Sequence, residues 1–379
     1  MDGDKAMKNV LEKHEVKLTV RGPVFVGDGK EIDKKEYLFL GGKKVGVVDF
    51  ARLYGLAKSR GKEKALEKYM LEEYTYLEAW LKREGLYDEA IKKSLRYTIS
   101  MGDNQLTRGT KTQIMSCIKD GEGSPYLPGS SIKGMLRTIL GYEGLKDAPD
   151  KGRLASQLQK GAEYAARQGK VNRNKFLSKE TKELETSLFR TLNRPKTKPW
   201  DAVNDVLAGL MVGDSEPVPL SQLVLAQKVE RNVYGEEKTL NLLREAFMPG
   251  TEICFPLTID RSICPWDKAY IEKAIADFSK LYNECFISAF KDAVPLKANQ
   301  VLLGGGTGYV SKTLVYPLLG KKAGIESAAR IIDATLPYKI RSKHKHNQDV
   351  RLGVSPHILK CTWFGGRTVQ MGLCDIEIR

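Results

Sequence analysis

Apolar and polar residues alternate in several short segments of the chain, and a period of two is the pattern of a half-buried β-strand. In residues 14–28, Val16, Leu18 and Val20 alternate with polar residues before a glycine-rich turn. Residues 36–48 carry a Gly-Gly turn between apolar runs, which predicts a hairpin. The same pattern predicts further strands at residues 95–99, 207–212, 223–227, 252–259, 359–363 and 374–378.

Other segments place apolar residues three or four positions apart, which is the period of a helix with one buried face. In residues 63–83 such a stripe runs from Leu66 through Tyr74 to Leu81. A long helix is predicted to begin at Pro265, because proline suits the first helical position. Further helices are predicted from Ser130, within 151–199 and at 240–248.

The order of these elements indicates the fold class. Strands and helices alternate in a similar order twice along 379 residues, a length that suits two or three domains. We therefore expect an α+β protein of two units with helical insertions. The six cysteines form no Cys-x-x-Cys pair, and the four histidines have no zinc-like spacing to them. We expect free thiols, no structural metal and no cofactor.

The segment 128–137 reads Pro-Gly-Ser-Ser-Ile-Lys-Gly-Met-Leu-Arg and opens a predicted helix. Ser130 or Ser131 is expected to cap the helix by accepting from its free amides. Lys133 and Arg137 are four residues apart and share one flank of the helix. Amides, hydroxyls and two cations at a helix N-terminus suit a phosphate group, although such charges can equally be solvated surface charges.

A second candidate site lies in residues 301–313, where four glycines occur within five residues. Glycines let backbone amides approach a ligand closely, while Lys312 supplies a charge and Tyr309 a face on which a base can stack. The segment also resembles a degenerate P-loop, with Ser311 in place of the second glycine. Two functional interpretations therefore stay open, an RNA-contacting loop and a nucleotide-binding loop, beside a plain surface loop.

The charge of the chain points to a polyanionic partner. The net charge is +15, and residues 151–199 alone carry 13 Lys and Arg against four Glu and no Asp. A bias this local favours contact with nucleic acid over a solvated surface helix. Apolar runs are too short for a membrane span, and the first residues lack the apolar stretch of a secretory signal, so we expect a cytoplasmic protein without membrane contact.

Five segments together resemble the RAMP superfamily of RNA-binding proteins from CRISPR–Cas complexes. They are the strand and glycine turn at 19–29, the Gly-Ser-Lys-Arg motif at 128–137, the Gly-Asp-Ser and Glu-x-Phe-x-Pro-Gly-Thr segments at 213–215 and 245–251, and the glycine-rich loop at 304–313. In layout and in the sequence of that last loop, the chain most resembles the family of fifth subunits of the type III-A (Csm) effector complex.

This resemblance implies two ferredoxin-like (RRM-like) domains, which we place at 1–205 and 206–379, with insertions at about 49–95 and 151–199. It implies a place at the end of the backbone of repeated RAMP subunits in antiviral defence. It further implies contact with the 3′ part of the guide RNA (crRNA) and a role in crRNA maturation. Expected partners are the crRNA, the other Csm subunits and, as a further class, host nucleases.

The resemblance assigns RNA binding to two groups of residues. They are Gly129, Ser130, Ser131, Lys133 and Arg137 in the motif, and Gly304, Gly305, Gly306, Gly308, Tyr309 and Lys312 in the glycine-rich loop.

No catalytic residue is expected. Many relatives carry histidine in the N-terminal turn where this chain has Phe25, and Asp28 there is typical of a turn. The enzyme alternative is a metal-independent endoribonuclease, for which His14, His344 and His346 are the available acid–base groups.

Overall fold

The computed structural model describes residues 10–104, 112–172 and 175–379. The first residues, where a secretory signal was considered, and two positions of the basic insertion lie outside this part of the chain. The strands within it are β1 (Leu11–Val20), β2 (Gly27–Ile32), β3 (Tyr37–Leu40), β4 (Lys44–Val48), β5 (Leu95–Ser100), β6 (Gln113–Cys117), β7 (Leu210–Val212), β8 (Leu223–Asn232), β9 (Glu237–Phe247), β10 (Glu252–Asp260), β11 (Gln300–Leu302), β12 (Ile358–Phe364), β13 (Arg367–Gln370) and β14 (Leu373–Ile378).

The helices connect these strands and form the insertions. They are α1 (Phe50–Ser59), α2 (Glu63–Glu72), α3 (Leu77–Arg83), α4 (Tyr87–Lys93), α5 (Gly129–Gly144), α6 (Lys151–Gln168), α7 (Ser178–Phe189), α8 (Lys268–Cys285), α9 (Val315–Thr335), α10 (Tyr338–His344) and α11 (Asp349–Leu352). No helix in the described ranges has the length and apolar character that a membrane crossing requires.

The strands form two sheets, which confirms the α+β class. The smaller sheet has the order β11-β14-β1-β10-β7, and its pairs are antiparallel. The larger sheet has the order β2-β6-β9-β8-β5-β4-β3, and β12 and β13 branch from β8. In the larger sheet, β5 runs parallel to β8 and β6 runs parallel to β9. Both sheets combine strands from either side of residue 205, so a boundary there does not separate them.

The main hydrophobic core joins both sheets to α5 and α8. Val16, Leu18 and Val20 are buried in it, as their alternation predicted, together with Ile132 of α5 and Phe278 of α8. The first insertion, α1 to α4, has a separate core in which Tyr69 stacks on Trp80 with ring centroids 5.3 Å apart. Helix α6 of the basic insertion packs against α9.

One element prediction was wrong in type, and two helix predictions were correct in type but differ in their bounds. Of the predicted helix at 240–248, residues 240–247 belong instead to strand β9, which pairs with β8 on one side and β6 on the other. Residues 63–83 form two helices, and Tyr74 in the break between them is 85% exposed. The long helix α8 begins after Pro265 at Lys268, and Asp267 caps it by accepting from the amide of Tyr270 at 2.8 Å.

The strand prediction at 207–212 was correct only in part. Residues Val206–Gly209 form a 3-10 turn, and the strand β7 is limited to the three residues that follow. The turn places the carbonyl of Leu207 beside the flank of α5, where it accepts from a lysine described below.

Candidate RNA-binding surface

The motif helix α5 begins at Gly129, as its sequence predicted, but its serines do not cap it. No side chain of the preceding residue caps the helix, and the amide of Gly129 donates to Oδ1 of Asp214 at 2.7 Å. The hydroxyl of Ser215 accepts from the amide of Leu127 at 2.9 Å. The predicted capping by Ser130 or Ser131 was therefore wrong. The carboxylate of Asp214 thus already lies at the positive end of the α5 dipole, where a phosphate group was expected to bind.

Ser130 lies exposed in the first turn of α5, and Ser131 is partly exposed beside it. Gly129 itself is buried because the helix starts in contact with the β7 backbone. A Cβ atom at this position would lie 2.2 Å from the carbonyl oxygen of Val212. The glycine is needed there for close packing of helix and strand.

The two cations of the motif both contact protein groups. The ammonium of Lys133 donates to the carbonyl oxygen of Leu207 at 2.6 Å, and burial lowers the pKa of this lysine. Arg137 bonds to Asp205 at 2.9 Å and lies 4.3 Å from the ring centroid of Phe189. RNA binding by Lys133 and Arg137 stays a prediction. It requires RNA phosphates to replace Leu207 and Asp205 as the partners of these cations.

Two substitutions in this helix are expected to have opposite effects. Gly129→Ala should lower the free energy of unfolding by about 1–3 kcal/mol, because its Cβ would overlap the Val212 carbonyl. Gly134→Ala should raise it by about 0.5–1 kcal/mol, since Gly134 lies in the helix interior with open space around its Cβ position. Urea unfolding of both variants measures the difference. Equal stabilities would show that the glycines do not have these distinct roles.

The glycine-rich loop docks on the N-terminal turn. The amide of Gly305 donates to the carbonyl oxygen of Phe25 at 2.6 Å. Gly304 has a φ of +86°, and a Cβ there would lie 2.2 Å from the same oxygen. Two segments that the sequence analysis treated separately thus form one surface. The P-loop alternative is not favoured, because the Gly305 amide is already engaged and β11, which precedes the loop, pairs antiparallel with β14.

Side chains from neighbouring strands place positive charge around this loop. We name Lys228, Arg244, Lys312 and Lys360 the glycine-loop cations. The guanidinium carbon of Arg244 on β9 lies 3.6 Å from the Cβ position of Gly306, and Lys360 on β12 lies 3.8 Å from that of Gly308. Strand pairing brings β9 and β12 to opposite sides of β8.

Arg244 and Lys312 are left without carboxylate partners. Within the described ranges, neither residue makes an ion pair, whereas Lys228 and Lys360 both do. Burial lowers the pKa of Arg244. Burial and then the charge of Arg244 lower the pKa of Lys312. Two cations whose charges act on each other, and which have no carboxylate partner among the described residues, are suited to bind a phosphate.

Glu230 forms ion pairs with the other two glycine-loop cations, Lys228 and Lys360. Its carboxylate lies 2.7 Å from the ammonium of Lys360 and 3.0 Å from that of Lys228. Burial alone would raise the pKa of Glu230, but the two lysines outweigh it and lower the pKa to about 2. Burial also lowers the pKa of Lys360, against the attraction of Glu230.

The carboxylate of Glu230 makes part of the free energy of unfolding depend on pH. A depressed folded-state pKa gives stability that is present above the ordinary value of 4.5 and is lost as the pH falls toward about 2. We expect Glu230→Gln to be less stable than the wild type at neutral pH but to lose less stability on acidification. Urea unfolding at several pH values measures this, with exposed Glu216→Gln as the control. Identical pH profiles for wild type and Glu230→Gln would contradict the assignment.

A cavity of about 280 Å³ joins the motif helix, the glycine-rich loop and the basic insertion. Arg137 lines it from α5, Tyr309 and Lys312 from the loop, and Leu158 and Leu177 from the insertion. Tyr309 packs against this apolar interior, and burial raises the pKa of its hydroxyl. Of the residues predicted to bind RNA, Arg137, Tyr309 and Lys312 therefore border one cavity, although the ring of Tyr309 packs toward the protein interior.

Two of the candidate acid–base residues, His344 and His346, lie in a network around Asp349. Asp349 is fully buried and accepts from Nδ1 of His346 at 3.0 Å, from Nδ1 of His357, and from the hydroxyl of Ser355 at 2.6 Å. His344 stacks on His346. Despite its burial, these bonds lower the pKa of Asp349.

This network is also the place in the described ranges where three metal-binding side chains come together, with ligand atoms within 4.8 Å of one another. The spacing of histidines and cysteines in the sequence could not reveal this cluster, because its third member is an aspartate. Each nitrogen that faces Asp349 already has a hydrogen-bond partner. His14 lies apart on β1, where Nδ1 is 3.2 Å from the carbonyl oxygen of Arg379.

Comparison with known proteins identifies the family. The family model of the RAMP superfamily matches residues 17–311, which is most of the chain and includes the motif at 128–137 and the glycines at 304–308. The chain belongs to the RAMP superfamily.

Two similar proteins match nearly the whole length of the chain. The CRISPR system Cms protein Csm5 of Mycobacterium tuberculosis is 29% identical over 98% of this chain and 99% of the relative. The protein of the same name from Enterococcus italicus is 26% identical over 98% of this chain and 99% of its own length.

Two solved structures share the RAMP fold of this chain. A chain in the cryo-EM structure of a Csm–crRNA–target RNA ternary complex from a type III-A CRISPR–Cas system has a TM-score of 0.67 at 18% identity. The match covers 96% of this chain and 100% of that chain. The crystal structure of T. onnurineus Csm5 has a TM-score of 0.56 at 17% identity and covers 95% and 99% of the two chains.

Sequence reasoning missed Asp214, Arg244, Lys228 and Lys360. Asp214 was noted only as part of a resemblance, and its bond to Gly129 spans 85 positions. Arg244 could have been found from its place beside the family segment at 245–251. The mistaken helix at 240–248 hid this, because only strand pairing brings Arg244 to the glycine-rich loop.

Proposed function

We propose that this chain is an RNA-binding subunit of a type III-A CRISPR (Csm) effector complex in the cytoplasm. It would cap the end of the backbone, contact the 3′ part of the crRNA and support crRNA maturation. Its partners would be the crRNA, the repeated RAMP backbone subunit and, during maturation, host nucleases. Full-length similarity to Csm5 proteins supports this identity.

The pair Arg244 and Lys312 beside the glycine-rich loop carries the proposal. Phosphate oxygens of an RNA strand would accept from these cations, while Gly304–Gly308 let the strand approach the backbone. Gly306 and Gly308 have φ values of +90° and +94°, a conformation that favours glycine. Phosphate contacts of this kind position RNA without reading its sequence. That property suits a subunit that must accept guides of many sequences.

The motif helix is a further proposed contact. Ser130 is exposed at its start, and Lys133 and Arg137 follow on the same flank. A phosphate could replace Leu207 or Asp205 as the partner of these cations, because Arg137 keeps 27% of its side chain exposed. Lys312 and Arg137 border the same cavity, so a single strand could follow both groups.

We favour a non-catalytic role over an endoribonuclease. A general acid or base must reach its substrate, but His346 is 5% exposed and its Nδ1 faces Asp349. Phe25, at the contact with the glycine-rich loop, offers no proton. A nuclease would be supported if purified chain cut a crRNA precursor and His344→Ala with His346→Ala abolished the cleavage.

Binding of a labelled single-stranded RNA to the purified full-length chain tests the proposal. We expect saturable binding whose affinity falls steeply as salt rises, because counterions are released from the phosphates. Unlabelled RNA should displace the label and ATP should not. Displacement by ATP at comparable concentration, or the absence of RNA binding at low salt, would overturn the proposal.

A further inference from the structure

The basic insertion contains an open groove that none of the contacts above uses. It has a volume of about 740 Å³ and lies between α6 and the segment that leads into α7. We name it the insertion groove. Its charged and aromatic lining consists of Lys160, Tyr164, Lys170, Lys175, Lys179 and Glu180.

The lysines of the insertion groove are largely uncompensated. Within the described ranges, Lys160, Lys170 and Lys175 make no ion pair, and Lys179 lies only within 4.0 Å of Glu183. Arg153 in the same insertion differs, since it bonds to both Asp150 and Glu183. Glu180 also lines the groove, but among the described residues it forms no ion pair with these lysines. Clustered like charges do not stabilise a fold and instead raise the local concentration of anions.

An aromatic ring lies among these lysines. Tyr164 is 57% exposed, although α6 has a buried face formed by residues such as Leu154 and Ala162. A large ring on the solvated face of a polar helix does not contribute to the core. Rings placed along a positively charged groove are the means by which proteins hold single-stranded nucleic acid, because every base has a face that can stack.

We propose that the insertion groove binds a second single-stranded stretch of RNA, with a base stacked on Tyr164 and phosphates held by Lys160, Lys170 and Lys175. The inference rests on the proposed function and extends it, since it gives the basic insertion a binding site separate from the glycine-rich loop. The strand there is held by stacking and charge, and its sequence is not read. A longer RNA would then bind more tightly than one that fills the glycine-loop site alone.

The first test is the salt dependence of RNA binding by the full-length chain. Lys160→Ala with Lys170→Ala and Lys175→Ala should lower the slope of log affinity against log salt by about 2, near 0.7 for each phosphate contact. The control is Lys64→Ala with Lys68→Ala and Lys92→Ala, which removes the same charge from exposed positions of the first insertion. The control should keep nearly the wild-type slope.

The second test separates stacking from charge. Tyr164→Ala should weaken binding of the longer RNA about tenfold, while Tyr164→Phe keeps the ring and should bind as the wild type does. Equal loss in both variants would overturn the stacking role.

The outcomes show separately whether the inference about the insertion groove fails and whether the proposed function fails. If the groove variants bind like their controls while Arg244→Ala with Lys312→Ala loses affinity, the inference about the groove is wrong and the RNA-binding function stands. If the wild-type chain binds no RNA, both are wrong.

Discussion

Arg244→Ala with Lys312→Ala is expected to weaken RNA binding by about 2–3 kcal/mol, or roughly 30- to 150-fold in Kd. Each cation would lose one phosphate contact, so the slope of log affinity against log salt should fall by about 1.4. The fold should be little affected, because neither cation makes an ion pair in the described ranges and their mutual repulsion is removed. Fluorescence anisotropy over a salt series gives both quantities, and thermal unfolding checks the fold.

A control variant separates a general loss of positive charge from the loss of the Arg244 and Lys312 site. Lys64→Ala with Lys68→Ala removes the same charge from exposed positions of α2 and should leave affinity within a few-fold of wild type. If both double variants bind equally weakly, general attraction to the basic chain accounts for binding and the glycine-loop site does not.

The motif helix can be compared in the same assay. Lys133→Ala with Arg137→Ala removes contacts to Leu207 and Asp205, so we expect a lower unfolding temperature. A reduced salt slope in addition would establish that the helix contacts RNA. An unchanged slope would assign these cations to structure alone.

Glu245→Ala is expected to lower the free energy of unfolding by about 3–5 kcal/mol, because it leaves a buried cation without its partner. Glu245 on β9 is fully buried and lies 2.5 Å from the ammonium of Lys119. It also accepts from the hydroxyl of Tyr97 at 2.6 Å and from the amide of Cys117 at 3.0 Å. Burial and the charge of Glu245 raise the pKa of Tyr97, which therefore acts as a donor. Urea unfolding measures the loss.

The matched control is a carboxylate at the surface. Glu252 on β10 pairs with Lys17 at 2.6 Å while 58% exposed, and Glu252→Ala should cost no more than about 1 kcal/mol. The variant Glu245→Gln with Lys119→Met removes both charges and should recover part of the stability lost in Glu245→Ala. Similar losses for Glu245→Ala and Glu252→Ala would contradict the structural role of the buried pair.

The sequence predicted elements with one buried face well. In β1 the alternating apolar residues are the buried ones, and in α8 the apolar stripe is the buried face. The backbone geometry of each element determines which residues share a face, so the apolar pattern of the sequence follows the buried side. Strand β9 was mistaken for a helix because residues 240–247 contain leucines and an alanine at mixed spacings. A strand paired on both sides needs no strict alternation, and pairing with distant strands determined its structure.

The candidate site was harder to predict because charges along a sequence do not reveal their partners. Arg137 resembles a free phosphate-binding cation until Asp205, 68 positions later, is seen beside it. Arg244 attracts no notice in the sequence, yet in the described part of the chain it is, with Lys312, a cation beside the glycine-rich loop that has no carboxylate partner. The glycines of the sequence predicted a loop here, and its contact with RNA stays a prediction, whereas its docking on Phe25 depends on the fold.

Affinity purification of the tagged chain from its native host, followed by sequencing of the co-purified RNA, tests whether this chain holds crRNA in a Csm complex. The proposed function predicts short RNAs that begin in a CRISPR repeat and arrive together with other Csm proteins. A clean preparation that contains neither RNA nor partner proteins would contradict it.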